Sequence, residues 1–286
     1  MKYSALLGNP VEHSISPELF NLLTKKINVE YAHLKIHVNE KEDLVHCIQA
    51  MCDLNFVGFN ITCPYKLDTY SLVDVLDSEA EKIHSINSVV IKNGKTIGYN
   101  TDGKAAILAI RHFYKIKSND KVVIIGAGGV AYPIVYEILK ITSNVVIFNE
   151  NVKDAEKMCN LIGCNVSYYS LYDKDKFINE LMSATIIINA TSVGMYPNSD
   201  NSLIDEELFQ LLSKNNVCKC YFDVVFNPWN THFIQLANKY NQLAISGGYM
   251  LIYQAILVLK LWLNVEINLS NHEVDEIANE LMKVLG

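Results

Sequence analysis

Residues 122–131 read Val-Val-Ile-Ile-Gly-Ala-Gly-Gly-Val-Ala, an apolar run that breaks into glycines and then resumes at helical period. Few stretches limit a fold as sharply. The run suits a buried strand, and the match to G-x-G-x-x-A predicts a strand, a tight turn and a helix. Gly126 permits the turn, Gly128 lets the backbone approach a pyrophosphate, and Ala131 allows close helix–strand packing. Ala127, Gly129 and Val130 complete the turn, and the N–H groups at the helix start suit phosphate oxygens. A purely structural turn can carry the same pattern, so its surroundings decide. A second β-rich run, 145–149, ends on Asn149 and is followed by Glu150, 24 positions after Gly126. A carboxylate there accepts hydrogen bonds from a ribose and repels a 2′-phosphate, which favours NAD without excluding NADP. The other reading of Glu150 is a solvated loop residue.

The same rhythm extends on both sides. Strand patterns at 121–126, 145–149, 166–170, 185–190, 219–224 and 243–245 alternate with helical ones, which predicts a doubly wound parallel sheet of the Rossmann type. Upstream, strand patterns at 4–7, 32–38, 57–61 and 88–91 alternate with helices at 17–26, 40–52 and 78–83, a layered α/β arrangement. Asn93-Gly94 between two short β-runs predicts a hairpin, since this pair tolerates two positive φ angles. A helix at 103–114 separates the two series, and helices at 248–263 and 271–285 close the chain with no strand after them. The fold class expected is therefore α/β. An N-terminal α/β domain, 1–103, is completed by the C-terminal helices of 246–286, and 104–245 form the dinucleotide-binding domain.

Composition narrows the partners. The 286 residues allow roughly two domains. The net charge of −7 lacks the basic patches that nucleic acids or anionic membranes require, so a small-molecule substrate is expected. Seven cysteines (Cys47, Cys52, Cys63, Cys159, Cys164, Cys218 and Cys220) include no C-x-x-C pair. Neither a zinc site nor a disulfide framework is expected, and no metal. A reducing, cytoplasmic setting follows. The apolar run at 3–7 is too short for a signal peptide, and 249–263, interrupted by Gln254 and Lys260, reads as a buried helix and not as a membrane span. A monomer or homodimer is expected.

Four polar clusters sit at strand ends of the first series. In 8–17, Ser14 and Ser16 stand two apart and can present both hydroxyls to a carboxylate or polyol, while Ser16 before Pro17 also reads as a helix N-cap. In 60–66, Lys66 follows an apolar strand and could equally be a surface lysine. The third cluster is Ser85-Ile86-Asn87-Ser88. In 98–103, Asp102 stands at a helix start, where capping and dipole stabilisation are an alternative role.

Taken together, these clusters resemble those of the shikimate/quinate dehydrogenase family, and the resemblance spans the whole chain. It rests on 8–17, 60–66, Asn87-Ser88, 98–103, 126–129, 189–195, 223–231 and 247–254. It implies reversible hydride transfer between NAD(P)H and 3-dehydroshikimate, a step of aromatic amino-acid biosynthesis. It implies that Ser14 and Ser16 bind the substrate carboxylate, that Thr62, Asn87, Asp102 and Gln254 bind ring hydroxyls, and that Lys66 and Asp102 form the catalytic pair. Asn189, Thr191, Ser192, Val224 and Gly247 would line the cofactor. The chain departs from the family pattern in four places. Phe226 replaces a tyrosine whose hydroxyl reaches the substrate. Tyr132 replaces an arginine after the glycine turn. Asn149-Glu150-Asn151 replaces the Asn-Arg-Thr of NADP-dependent members, and Ser88 replaces threonine. Alternatives are a paralogue acting on quinate or aminoshikimate, a catalytically silent binding or regulatory protein on this scaffold, and a Rossmann methyltransferase, in which the first-series clusters have no role.

Overall fold

The computed structural model describes residues 1–62 and 64–285; Cys63 and Gly286 lie outside the described residues. The chain divides into two compact units, Met1–Thr101 with Gln254–Val284, and Asp102–Tyr253 with Leu285.

The first series runs β1 (Lys2–Gly8), α1 (Ser16–Lys26), β2 (Tyr31–His37), α2 (Lys41–Asp53), β3 (Gly58–Ile61), α3 (Lys66–Tyr70), β4 (Val75–Leu76), α4 (Ser78–Ile83), β5 (Ser88–Lys92) and β6 (Lys95–Tyr99). It forms a mixed sheet in the order β2-β1-β3-β5-β6-β4. The hairpin β5–β6 turns at Asn93 and Gly94, whose φ angles of 53° and 71° are the pair an Asn-Gly turn supplies. The short α3 and β4 have no signal in the sequence pattern.

Alternation along β1 sorts its side chains onto two faces. Ala5 and Leu7 join Phe59, Ile61 and Val89 against Leu44, Ile48 and Met51 of α2. Ser4 is buried toward the other face, where its hydroxyl accepts from the Tyr31 hydroxyl and lies 2.6 Å from His33 Nδ1. The Phe20 ring stacks on His33 at 4.2 Å, and Trp262 stacks on Phe20 at 5.4 Å. The Trp262 indole donates to the Val89 carbonyl at 2.9 Å. Gly58 is required beneath it, because a Cβ there would lie 2.1 Å from Trp262 Nε1. Burial pulls the His33 pKa down to about 3, so the imidazole is neutral.

The second series runs α5 (Asp102–Phe113), β7 (Val122–Ile125), α6 (Ala131–Leu139), β8 (Val145–Asn149), α7 (Val152–Ile162), β9 (Ser167–Ser170), α8 (Lys174–Met182), β10 (Ile186–Asn189), α9 (Glu206–Asn215), β11 (Cys220–Asp223), α10 (His232–Lys239) and β12 (Ala244–Ile245). All its strand pairs are parallel, in the order β12-β11-β10-β7-β8-β9. This is the doubly wound order: strands are added outward from β7 to β9 on one side and from β10 to β12 on the other, so the strand order switches between β7 and β10. β7, β10 and β11 are buried throughout, as expected for strands covered by helices on both faces. At Gly103 a Cβ would lie 2.2 Å from the Pro133 carbonyl oxygen, so only glycine lets α5 approach α6 this closely.

Two helices end the chain, α11 (Gly247–Leu263) and α12 (Asn271–Leu285). α11 begins in the second unit and passes into the first at Gln254. Among the described residues, no helix is long and apolar enough to cross a membrane.

Candidate active site

Register alone gathers the polar clusters of the first sheet. Leu7 on β1 pairs with Ile61 on β3, Asn60 on β3 with Ser88 on β5, and Ser88 with Tyr99 on β6. The carboxyl ends of β1, β3 and β6 and the amino end of β5 therefore share one edge. The segments leaving that edge carry Ser14 and Ser16, Thr62 and Lys66, Asn87, and Asn100-Thr101.

Each segment is pinned from within the unit. Ser14 Oγ lies 2.9 Å from Ser16 Oγ and accepts from the Ser16 amide at 3.2 Å. The paired hydroxyls match the spacing argument, but Ser16 is not a helix cap. Ile15 occupies the cap position without a side-chain bond, and Ser16 is already helical. The serine side chain that meets the helix entry is that of Ser14. Thr62 is held by its amide to the Leu7 carbonyl at 2.9 Å and is half-buried. The Tyr65 hydroxyl donates to the Val38 carbonyl at 2.9 Å and anchors the turn from which half-buried Lys66 opens α3.

Asn87 is buried. Its carbonyl oxygen accepts from the Ile61 amide at 2.9 Å and from Asn60 Nδ2 at 3.2 Å, and its side chain grips the Thr101 amide at 2.9 Å. That grip fixes the peptide leading into Asp102, the buried first residue of α5. A carboxylate at this position also complements the helix dipole. Gln254 is half-buried on α11.

The second sheet gathers its own edge. Ile125 pairs with Phe148 and with Asn189, Asn189 with Asp223, and Phe222 with Ile245. The residues just beyond are Gly126, Asn149 and Glu150, Ala190, Val224 and Ser246-Gly247. Gly126 adopts φ +116°, and a Cβ there would lie 2.8 Å from the Ala190 carbonyl oxygen, so this glycine is obligatory. Gly128 and Gly129 differ: a Cβ on either would meet nothing within 4 Å. Space, not internal packing, is what they preserve.

The Ala127 amide donates to Asn149 Oδ1 at 3.1 Å, and the Ala131 amide to the Gly128 carbonyl at 2.9 Å. Among the described residues the amides of Gly128, Gly129 and Val130 have no protein acceptor. An open turn whose amides are not taken up by the protein fits a pyrophosphate. Asn149 holds the turn, while Glu150 and Ser192 are exposed.

One residue of this edge had no role assigned from sequence. Asp223 is fully buried; its Oδ1 accepts from Asn189 Nδ2 at 2.9 Å and the Val225 amide at 3.0 Å, and its Oδ2 from Thr231 Oγ1 at 2.6 Å. Burial lifts its pKa to about 6, against the lowering effect of those bonds. An aspartate closing the run Cys-Tyr-Phe-Asp was the available signal, since buried carboxylates need donors. Asn189 also accepts from Thr191 Oγ1 at 2.7 Å and donates to the Val193 carbonyl at 3.2 Å, shaping the loop after β10. Gly247 is locked in place, because a Cβ would lie 2.2 Å from the Val224 carbonyl oxygen. Phe226 is half-buried after β11.

Comparison with known proteins agrees along the whole chain. Residues 6–89 match the family described as shikimate dehydrogenase substrate binding domain. A Methanocaldococcus jannaschii protein named shikimate dehydrogenase (NADP(+)) is 35% identical over 283 residues, covering 97% of this chain and 98% of its own. A solved shikimate dehydrogenase in complex with NADP+ superposes with a TM-score of 0.85 at 32% identity, over 99% of this chain and 96% of the other. The shikimate 5-dehydrogenase of Listeria monocytogenes, solved with shikimate and NAD, gives 0.84 at 26% identity, over 98% of this chain and 96% of the other.

Proposed function

The chain belongs to the shikimate dehydrogenase family, and from that premise we propose that it reduces 3-dehydroshikimate reversibly to shikimate with a nicotinamide dinucleotide. One observation supports this most. The register of the first sheet makes the segments that carry Ser14 and Ser16, Thr62 and Asn87 leave it at a single edge, in a chain whose other sheet ends in an open glycine turn.

On this reading the first unit takes the substrate. Ser14 and Ser16 donate to its carboxylate, and Thr62, Asn87, Asp102 and Gln254 to or from its ring hydroxyls. The turn at Gly126, Ala127, Gly128, Gly129 and Val130 takes the pyrophosphate, with Asn149, Asn189, Thr191, Ser192, Val224 and Gly247 around the dinucleotide. When bound, that group supplies or accepts the hydride. Lys66 acts at the ketone oxygen, which gains charge as its carbon is reduced; the ammonium stabilises that charge and delivers the proton. Asp102 holds the lysine and the reacting hydroxyl in line. Oxidation reverses each role. Intact Lys66 and Asp102 set this reading above a catalytically silent protein. The free thiols of the six described cysteines suit the cytoplasm.

NAD is the preferred dinucleotide in this proposal. Arginine is the usual clamp for a 2′-phosphate, and the chain has one arginine, Arg111, which lies on α5 before the glycine turn. Glu150 is exposed directly after β8, where it accepts from ribose hydroxyls. A second reading, NADP, is favoured by the name of the Methanocaldococcus jannaschii relative, and Lys153 in the first turn of α7 would serve as its phosphate ligand.

The deciding experiment is a matrix of shikimate and quinate against NAD and NADP, read by absorbance of the reduced nicotinamide. The expected optimum is shikimate with NAD. Higher kcat/KM with NADP would replace Glu150 by Lys153 as the determinant, higher kcat/KM with quinate would change the substrate, and no turnover with any pair would leave the silent-protein reading.

A further inference from the structure

Beyond the glycine turn and Asn149, the residues proposed to surround the dinucleotide lie at three further places, the end of β10 with its loop, the loop after β11 and the start of α11. We propose that Asp223 is the positioning residue that sets these three places in one arrangement and so controls dinucleotide affinity. The inference rests on the dehydrogenase reading above and concerns a residue to which that reading gives no task.

The bonds converge on one carboxylate. Through Asn189, Asp223 reaches the loop after β10, because the same amide side chain also binds Thr191 and the Val193 carbonyl. Through the Val225 amide it sets the backbone just after β11, and the Val225 carbonyl in turn accepts from the Gly247 amide at 3.2 Å. Through Thr231 it reaches the end of the following loop, since Thr231 Oγ1 also caps α10 by accepting from the Ile234 amide at 3.3 Å. A further bond joins the first two loops, from the Tyr196 amide to the Asn227 carbonyl at 3.1 Å.

The chemistry explains why an acid stands there. All three groups facing Asp223 donate, and an ionised carboxylate is the side chain that only accepts. An asparagine would turn an N–H toward the Thr231 hydroxyl or toward the two donors on Oδ1. Charge-assisted bonds of this kind are roughly twice as strong as neutral ones. They offset the burial of a charge with no cation among its bonded partners. Asp223 is itself fully buried and both of its oxygens are taken by these three donors, so it acts on the dinucleotide only through the loops.

The test uses the full-length enzyme and measures NADH and NADPH affinity by calorimetric titration, alongside the KM for shikimate and the thermal midpoint. Asp223→Asn is expected to weaken dinucleotide binding by about tenfold, the equivalent of one charge-assisted bond, with shikimate KM near wild type. Thr231→Val removes one bond and is expected to shift affinity in the same direction by less, whereas Thr231→Ser, which keeps the hydroxyl, restores it. Should Asp223→Asn fail to fold, the Thr231 pair decides alone. Wild-type affinity in Thr231→Val and in any folded Asp223→Asn overturns the role of Asp223 and leaves the dehydrogenase reading intact. So does a loss shared equally between dinucleotide and shikimate, which marks a general structural defect. A wild-type enzyme that binds neither dinucleotide overturns the dehydrogenase reading and this role with it.

Discussion

The two units solve the same problem with different materials. In the first, a mixed sheet sends out from one edge the segments that carry hydroxyl, amide and amine residues, and its candidate site is chemistry carried on side chains. In the second, a wholly parallel sheet ends in backbone: an obligatory glycine, two open ones, amides with no acceptor among the described residues, and a buried carboxylate that shapes loops. Their buried ionisable groups differ too. The first unit buries a neutral imidazole, His33, and the second a carboxylate, Asp223. Side-chain sites vary by substitution and specify a substrate. Backbone sites follow from strand order and suit a dinucleotide that is the same in many enzymes.

The sharpest way to break this comparison is Lys66→Ala. If the first unit's site works through side chains, kcat falls by about 10²–10⁴-fold, the usual worth of a general acid or base, while dinucleotide affinity holds. Steady-state kinetics with near-normal kcat would remove Lys66 from the mechanism.

Acid titration separates the buried groups. The folded pKa of His33 lies below its unfolded value, so between about 3 and 6.5 the unfolded state binds more protons. Its contribution is complete above pH 6.5 and is lost as pH falls, by about 2–3 kcal/mol at a pH two units below the unfolded value. Asp223 works oppositely. Its folded pKa of about 6 lies above the ordinary 3.8, so between those values the folded state binds more protons and stability falls as pH rises. The histidine shift is the larger, so acid destabilisation should win. Denaturant titrations across this range should show a shallower acid loss in His33→Phe, and an unchanged slope would mean His33 protonates freely in the folded state.

Two glycine substitutions sharpen the contrast between packing and ligand space. Gly103→Ala meets the Pro133 carbonyl and should destabilise by about 1–3 kcal/mol, the range for overpacking. Gly128→Ala meets no protein atom and should leave the thermal midpoint unchanged while raising dinucleotide KM. Equal effects of the two on stability would show that the open turn is structural. The smallest expected effect is that of Phe226→Tyr, about 1 kcal/mol tighter shikimate binding from one added hydrogen bond. Weaker binding with the fold intact would mean the pocket is shaped around phenylalanine.

Much of the fold was readable along the chain because its signals are local. The glycine turn at 126–129 and the Asn93-Gly94 hairpin follow from backbone angles that few residues adopt. The alternation of strand and helix follows from hydrophobic period, and it led directly to the parallel sheet that the structure shows. The candidate site was readable in another way, through motif residues whose roles came from resemblance and await the experiments above.

What only tertiary structure decided involves partners distant in sequence. The order of the mixed sheet, the bond from Trp262 to the Val89 carbonyl 173 residues away, and the convergence on Asp223 from Asn189, 34 residues earlier, have no local signature. The same holds for Ser16, which sequence alone allows as a helix cap until the Ser14 hydroxyl is seen taking its amide. Local sequence sets which angles and faces a segment prefers. Which buried donor meets which acceptor depends on how the strands are ordered, and that order is set by packing the whole sheet.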